Sequence, residues 1–163
     1  MTAPLPSLSR SPAQTRRLAQ RLGRRLRPGD VILLSGELGA GKTVFVQGLA
    51  RGLGYQGSVS SKSFVLLGEY PARIKLYHAD LYRLETPEQA EELALDELCA
   101  DGALVVEWPE RAWHVFPQDH LLVRFEVTGE RTRILTLEAN GPLGQRLVGA
   151  LSKRRKGDPS STA

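Results

Sequence analysis

Gly36-Glu-Leu-Gly-Ala-Gly41-Lys42-Thr43 sets glycines, a lysine and a hydroxyl at the spacing G-x-x-x-x-G-K-[ST], without a gap. Residues of these types at this spacing hold a chain of phosphates. Glycines let successive backbone N–H groups turn inward around an anion, a conformation that a Cβ would block. The helix that follows adds its dipole and its unpaired N-terminal donors. Lys42 then reaches the β- and γ-phosphates as a point charge, and the Thr43 hydroxyl ligates Mg²⁺. The expected cofactors are ATP and Mg²⁺. The expected cradle is Gly36, Glu37, Leu38, Gly39, Ala40, Gly41, Lys42 and Thr43, with Lys42 at an exposed position.

A phosphate loop needs a carboxylate at the end of a neighbouring strand to hold the metal, and a group that positions the nucleophile. Two places qualify. Glu107 directly follows the apolar run Leu104-Val-Val106, at the strand end where α/β sheets bind ligands. Asp80 lies in His78-Ala-Asp-Leu-Tyr-Arg83, where His78, Asp80 and Tyr82 alternate onto one strand face. At least one of the two carboxylates must serve the metal. Tyr82 and Arg83 read equally well as scaffold, and His78 as a hydrogen-bonded structural histidine.

The elements around these residues are those of one α/β domain. Ser11-Pro-Ala-Gln14 reads as a capped helix start, and Leu18, Leu22 and Leu26 recur on one face until Pro28-Gly-Asp30. Val31–Leu34 and Ala103–Val106 are short continuous apolar runs, which suits strands buried on both faces. Lys42–Arg51 reads as a helix, stopped by Gly52 and Gly54. Phe64–Leu67 and Arg73–Leu81 form an expected hairpin, as do 121–127 and 133–138 across Thr128-Gly-Glu130. Thr86-Pro-Glu-Gln89 repeats the capping pattern and opens an expected single helix to Cys99, and Leu143–Leu151 is a last amphipathic segment. The expected fold is a central, mostly parallel sheet with antiparallel additions and helices on both faces. Residues 1–10 are expected to be a flexible N-terminus, 11–152 the P-loop domain, and 153–163 a disordered basic tail.

The 163 residues carry a net charge of +4, but unevenly. Arg10, Arg16, Arg17, Arg21, Arg24, Arg25 and Arg27 crowd one segment, and Lys153-Arg-Arg-Lys156 follows the last helix. Between Pro28 and Ser152 stand 11 basic and 17 acidic residues, so the body is acidic and the ends are basic. Solvated faces explain such ends, and so would contact with an acidic partner or RNA. No run approaches the ~20 apolar residues of a membrane span. Cys99 is the one cysteine, which suits a reducing cytoplasm.

The loop at 36–43, His-x-Asp-x-Tyr-Arg-Leu at 78–84 and Val-Glu-Trp-Pro at 106–109 resemble, in order and spacing, the TsaE (YjeE) family over about residues 18–138. The resemblance implies a small ATPase needed to make N6-threonylcarbamoyladenosine in tRNAs that read ANN codons. Such a protein acts with the TsaD–TsaB pair, which transfers a threonylcarbamoyl group supplied as an adenylate by TsaC. By the same resemblance Thr43 and Glu107 match the Mg²⁺ ligands, and Asp80 a residue important for hydrolysis. Arg133 and the first helix near Thr15 match adenine contacts. Glu37 stands where the family usually has Asp, and Ser61-Lys62-Ser63 where it has Ser-Pro-Thr; Ser63 retains a hydroxyl able to sense the γ-phosphate. Trp108 is expected to pack beneath the site, with signalling to a partner as the sharper alternative. The isolated chain is expected to be a monomer.

Two other classes stay in view. A small-molecule kinase would need an acceptor pocket and a lid with arginines, yet only Arg51, Arg73 and Arg83 lie between Thr43 and Glu107. A nucleotide sensor without hydrolysis needs nothing more than the cradle. A GTPase lacks its Asn-Lys-x-Asp segment here.

Overall fold

The computed structural model describes residues 3–60 and 67–152. The short apolar runs do pair side by side. β2 (Val31–Ser35) lies between β5 (Gly102–Glu107) and β6 (His120–Val127), parallel to both, and β4 (Lys75–Asp80) lies parallel to β5 on its far side. Every residue of β5 is buried, as a strand covered on both faces requires. Antiparallel strands complete the edges: β3 (Leu67–Tyr70) on β4, β7 (Arg133–Asn140) on β6, and β1 (Leu5–Ser9) on β7. The sheet order is β1-β7-β6-β2-β5-β4-β3.

Alternation along the strands divides the core in two. Ile32 and Leu34 face α1 (Pro12–Gly23), α2 (Lys42–Gly52) and α5 (Gly141–Ser152). Val31 and Leu33 face the other way, toward Leu81, Leu84, Ala90, Leu95 and Cys99 on and around the short helices α3 (Glu88–Glu92) and α4 (Leu95–Leu98). α1 and α2 meet backbone to backbone: a Cβ on Gly48 would run into the Arg16 carbonyl and the Ala19 methyl, and one on Gly52 into the Gln20 carbonyl. No helix among the described residues is long and apolar enough to cross a membrane.

Four expectations change. Within the expected flexible end 1–10, Leu5–Ser9 is instead β1, paired with β7 over five residues; an edge strand tolerates Pro6 where a central one would not. The first helix stops at Gly23 rather than at Pro28, and tight turns (Arg25 N–H to Leu22, Leu26 N–H to Gly23) carry the chain on while Leu26 stays buried. The single helix to Cys99 is two, broken by the left-handed Ala94 (φ 48°), and Gln89 receives the Glu85 N–H instead of closing a box on Thr86. The first strand of the 64–81 hairpin begins, among the described residues, at Leu67. Phe64–Leu66 and the tail 153–163 lie outside the described residues.

Candidate functional site

The phosphate loop leaves the C-terminal end of β2 and enters α2, with Gly39 (φ 81°) and Gly41 (φ 102°) in the left-handed region that glycine adopts without strain. Gly41 caps α2 with no side-chain hydrogen bond, so the first N–H groups of that helix are left to whatever enters the loop. Glu37, Leu38 and Gly39 are exposed at the rim, Leu38 at 71%. The Ala40 N–H closes a turn onto the Glu37 carbonyl.

Lys42 is buried, at 4% exposure, against the expectation of an exposed lysine. Its Nζ donates to the Gly36 carbonyl and stands 3.4 Å from the centroid of the Trp108 ring. Desolvation lowers its pKa, and the negative charges of Glu107, Glu110 and Asp80 oppose that shift. Trp108 adopts a left-handed backbone (φ 60°), costly for a bulky residue, and this turn lays its indole over the lysine. Its N–H still bonds the Leu34 carbonyl, and its ring lies 4.9 Å from that of Tyr82. Trp108 thus packs against the loop's lysine while its partly buried side chain rests on the core.

Glu107 ends β5 beside β2, and there the Thr43 hydroxyl donates to its Oε1 at 3.2 Å. The other carboxylate oxygen meets His78 Nε2 at 2.6 Å, and His78 Nδ1 lies 3.3 Å from the Tyr70 hydroxyl. These contacts form a line from β3 through β4 and β5 to the start of α2. His78 is thus a hydrogen-bonded buried histidine, as its structural reading had it. Tyr70 was not a sequence candidate; its position opposite Leu76, two residues from His78, follows only from strand register.

Asp80 stands directly beside Glu107 in the parallel pairing of β4 with β5, and its Oδ1 accepts the Tyr82 N–H at 3.1 Å. Both carboxylates line one cleft of about 310 Å³ together with Lys42, Thr43 and Trp108. A hydroxyl and a carboxylate in contact suit an ion that keeps water and phosphate oxygens as its other ligands.

Arg133 lies on the opposite flank of the loop. Its guanidinium donates to the carbonyls of Ala40 (3.2 Å) and Gly39 (3.4 Å), and to those of Gly129 and Thr132 (2.9 Å each). It braces the loop and also borders a second cleft, about 150 Å³, lined by Thr15, Gly41 and Val44. Thr15 Oγ1 shares a 2.7 Å hydrogen bond with Ser9 Oγ on β1. The structure thus brings together all the described candidates around residues 36–43. Ser63, with Ser61 and Lys62, lies outside the described residues.

Comparison with known proteins identifies a family. The family model for threonylcarbamoyl adenosine biosynthesis protein TsaE matches residues 9–135. The tRNA threonylcarbamoyladenosine biosynthesis protein TsaE of Treponema pallidum is 39% identical over 131 residues, covering 80% of this chain and 97% of that protein. Its counterpart in Bacillus subtilis is 37% identical over 145 residues, covering 88% and 90%. The crystal structure of Bacillus subtilis YdiB superposes with a TM-score of 0.79 at 33% identity, covering 93% of this chain and 96% of that one. A matching family model over most of the chain, and relatives of nearly its own length, place this chain in the TsaE family of tRNA threonylcarbamoyladenosine biosynthesis.

Proposed function

We propose that the chain is a Mg²⁺-dependent ATPase that supports threonylcarbamoyladenosine formation by binding and cycling the TsaD–TsaB complex. The observation that carries this reading is the contact of the Thr43 hydroxyl with Glu107 Oε1, 3.2 Å, at the mouth of a glycine loop whose lysine is already in place. In the proposed assignment the loop amides and Lys42 hold the phosphates, while Thr43 and Glu107 hold Mg²⁺. The bound ion would neutralise charge between the β- and γ-phosphates. Asp80, beside Glu107, orients the attacking water. The cleft bordered by Thr15 and Arg133 takes the adenine.

Hydrolysis by the isolated chain is expected to be slow. Among the described residues Arg133 is tied to carbonyls, so it is not presented to a γ-phosphate as an arginine finger. A group supplied in trans adds about 10³–10⁵ in rate. Steady-state phosphate release at fixed ATP, with TsaD–TsaB titrated in, tests the proposal, alongside sizing with ATP and with ADP. Acceleration and ATP-dependent assembly are expected. Equal rates and assembly indifferent to nucleotide would point to a separate kinase or a sensor.

A further inference from the structure

The sheet separates charge as well as core. Residues 10–29, 38–60 and 141–152, which supply α1, α2 and α5 on one face, contain no Asp or Glu. Residues 85–101, which supply α3 and α4 on the other face, contain seven carboxylates and no Lys or Arg. The arginines of the first face gather where the end of α1 meets α5. Arg17, Arg21, Arg24, Arg25 and Arg27 are exposed, and none of them is in an ion pair among the described residues.

Neighbours extend and fix this surface. Arg73, also exposed, donates to the Leu26 carbonyl at 3.1 Å, and Arg21 to the Leu151 carbonyl at 3.1 Å. Arg146 donates to the Arg25 carbonyl at 2.9 Å and pairs with the buried Asp30. Beside α5 runs a groove of about 420 Å³ lined by Gln145, Arg146, Gly149 and Ala150 and, from the turn after α1, by Arg25. Such bonds hold guanidinium groups in register at little further entropic cost on binding.

We propose that this arginine face of α1 and α5 binds the phosphate backbone of RNA. Charge complementarity supports a polyanion. Composition favours RNA over an acidic protein, because protein interfaces are anchored by buried aromatic or apolar side chains. The exposed large apolar residues of the described chain are Leu8, Leu38, Tyr82, Trp113 and Val127, none of them on α1, α2 or α5. A strongly positive, polar surface without apolar anchors is the composition of a nucleic-acid interface. Contacts of this kind position a backbone and read no sequence.

The test is fluorescence anisotropy of a labelled, unmodified tRNA transcript titrated with the full chain at several salt concentrations. The affinity should fall steeply with salt. Arg17→Gln/Arg24→Gln/Arg25→Gln should weaken binding at low salt by at least about tenfold. It should also flatten the log–log salt slope by about 2–3, since each phosphate no longer neutralised removes about 0.7–0.9. The Arg→Lys triple variant should keep the slope, and Glu91→Gln/Glu92→Gln on the opposite face should change nothing. Binding of a fluorescent ATP analogue, unchanged in every variant, reports an intact fold; if the wild-type chain fails to bind it, the ATPase reading falls while the RNA result stands. Equal RNA binding by wild-type and Gln triple variant overturns the proposal. So does displacement of the transcript by polyglutamate or by phosphatidylserine vesicles at matched charge, which would assign the face to an acidic protein or to a membrane.

Discussion

His78 and Glu107 meet at 2.6 Å with both side chains buried, and the second oxygen of the same carboxylate receives the Thr43 hydroxyl. The parallel register of β4 and β5 fixes the arrangement by setting His78 beside Val105 and Asp80 beside Glu107. One carboxylate is therefore both a link between strands and a proposed metal ligand. Glu107→Gln keeps the shape and can still hydrogen-bond, but loses the charge; Mg²⁺-dependent nucleotide binding should weaken at least about tenfold with little change in Tm. Glu107→Ala leaves the buried His78 Nε2 without its partner and should also lower stability by about 1–3 kcal/mol. Mg²⁺ titration against a fluorescent ATP analogue, with thermal melts of both variants, checks the two effects.

Asp80→Ala should leave ATP affinity within about threefold and slow phosphate release, because that carboxylate lines the cleft while the Thr43 hydroxyl is bonded to Glu107. Single-turnover phosphate release beside equilibrium binding distinguishes the two. Lost binding with normal turnover at saturation would exchange the roles of the two acids.

Lys42→Ala should lose about 1.5–3 kcal/mol of nucleotide binding, the worth of a hydrogen bond to a charged group, or roughly ten- to a hundredfold in affinity. Its effect on the fold should be small even though the residue is buried. The variant gives up the Gly36 bond and the cation–π contact with Trp108, worth about 0.5–2 kcal/mol. It also removes the desolvation that lowers the lysine's pKa. Calorimetry with Mg·ATP and a melt without nucleotide provide both numbers; unchanged affinity would end the phosphate-loop assignment.

Gly48→Ala should destabilise the chain by about 1–3 kcal/mol, as overpacking does. The added methyl group meets the Arg16 carbonyl and the Ala19 side chain across the α1–α2 contact. At about 2–4 °C per kcal/mol for a chain of this size, a melt resolves the change. Gly149→Ala, at a position with open space around the new Cβ, is the control and should not lose stability.

Cys99 should be inert in the folded chain. Burial, with a smaller contribution from Asp96, pushes its thiol up to about 11. The fold thus favours the neutral thiol: the stabilisation is whole below pH 9 and is lost as pH rises toward 11. At pH 8 a thiol-reactive dye should label the urea-unfolded chain quickly and the native chain hundreds of times more slowly. Fast native labelling would place the thiol in an open environment.

What the sequence could show depended on how local the signal was. The phosphate loop is one uninterrupted segment whose glycines and lysine imply their geometry directly, and Glu107 follows from an apolar run ending in an acid. Other features are tertiary. Tyr70 reaches His78 only through strand pairing, and β1 is a short edge strand whose Pro6 and serines read as a loose terminus. The break at Ala94, which stands at φ 48°, escapes notice because alanine is the best helix former. The burial of Lys42 is likewise invisible, since the turn that brings Trp108 over it lies 66 residues downstream in sequence.

The glycine seam between α1 and α2 also sets the mechanics of the site. With Gly23, Gly48 and Gly52 each pressed against backbone of the facing helix, α2 has little room to slide on α1. A displacement of the phosphate loop's helix would have to carry α1 with it, and through the Ser9–Thr15 bond would strain β1 as well. That flank of the site is an anvil. The other flank is built differently, since Trp108 and Tyr82 meet there from turns rather than from the middle of a helix or strand.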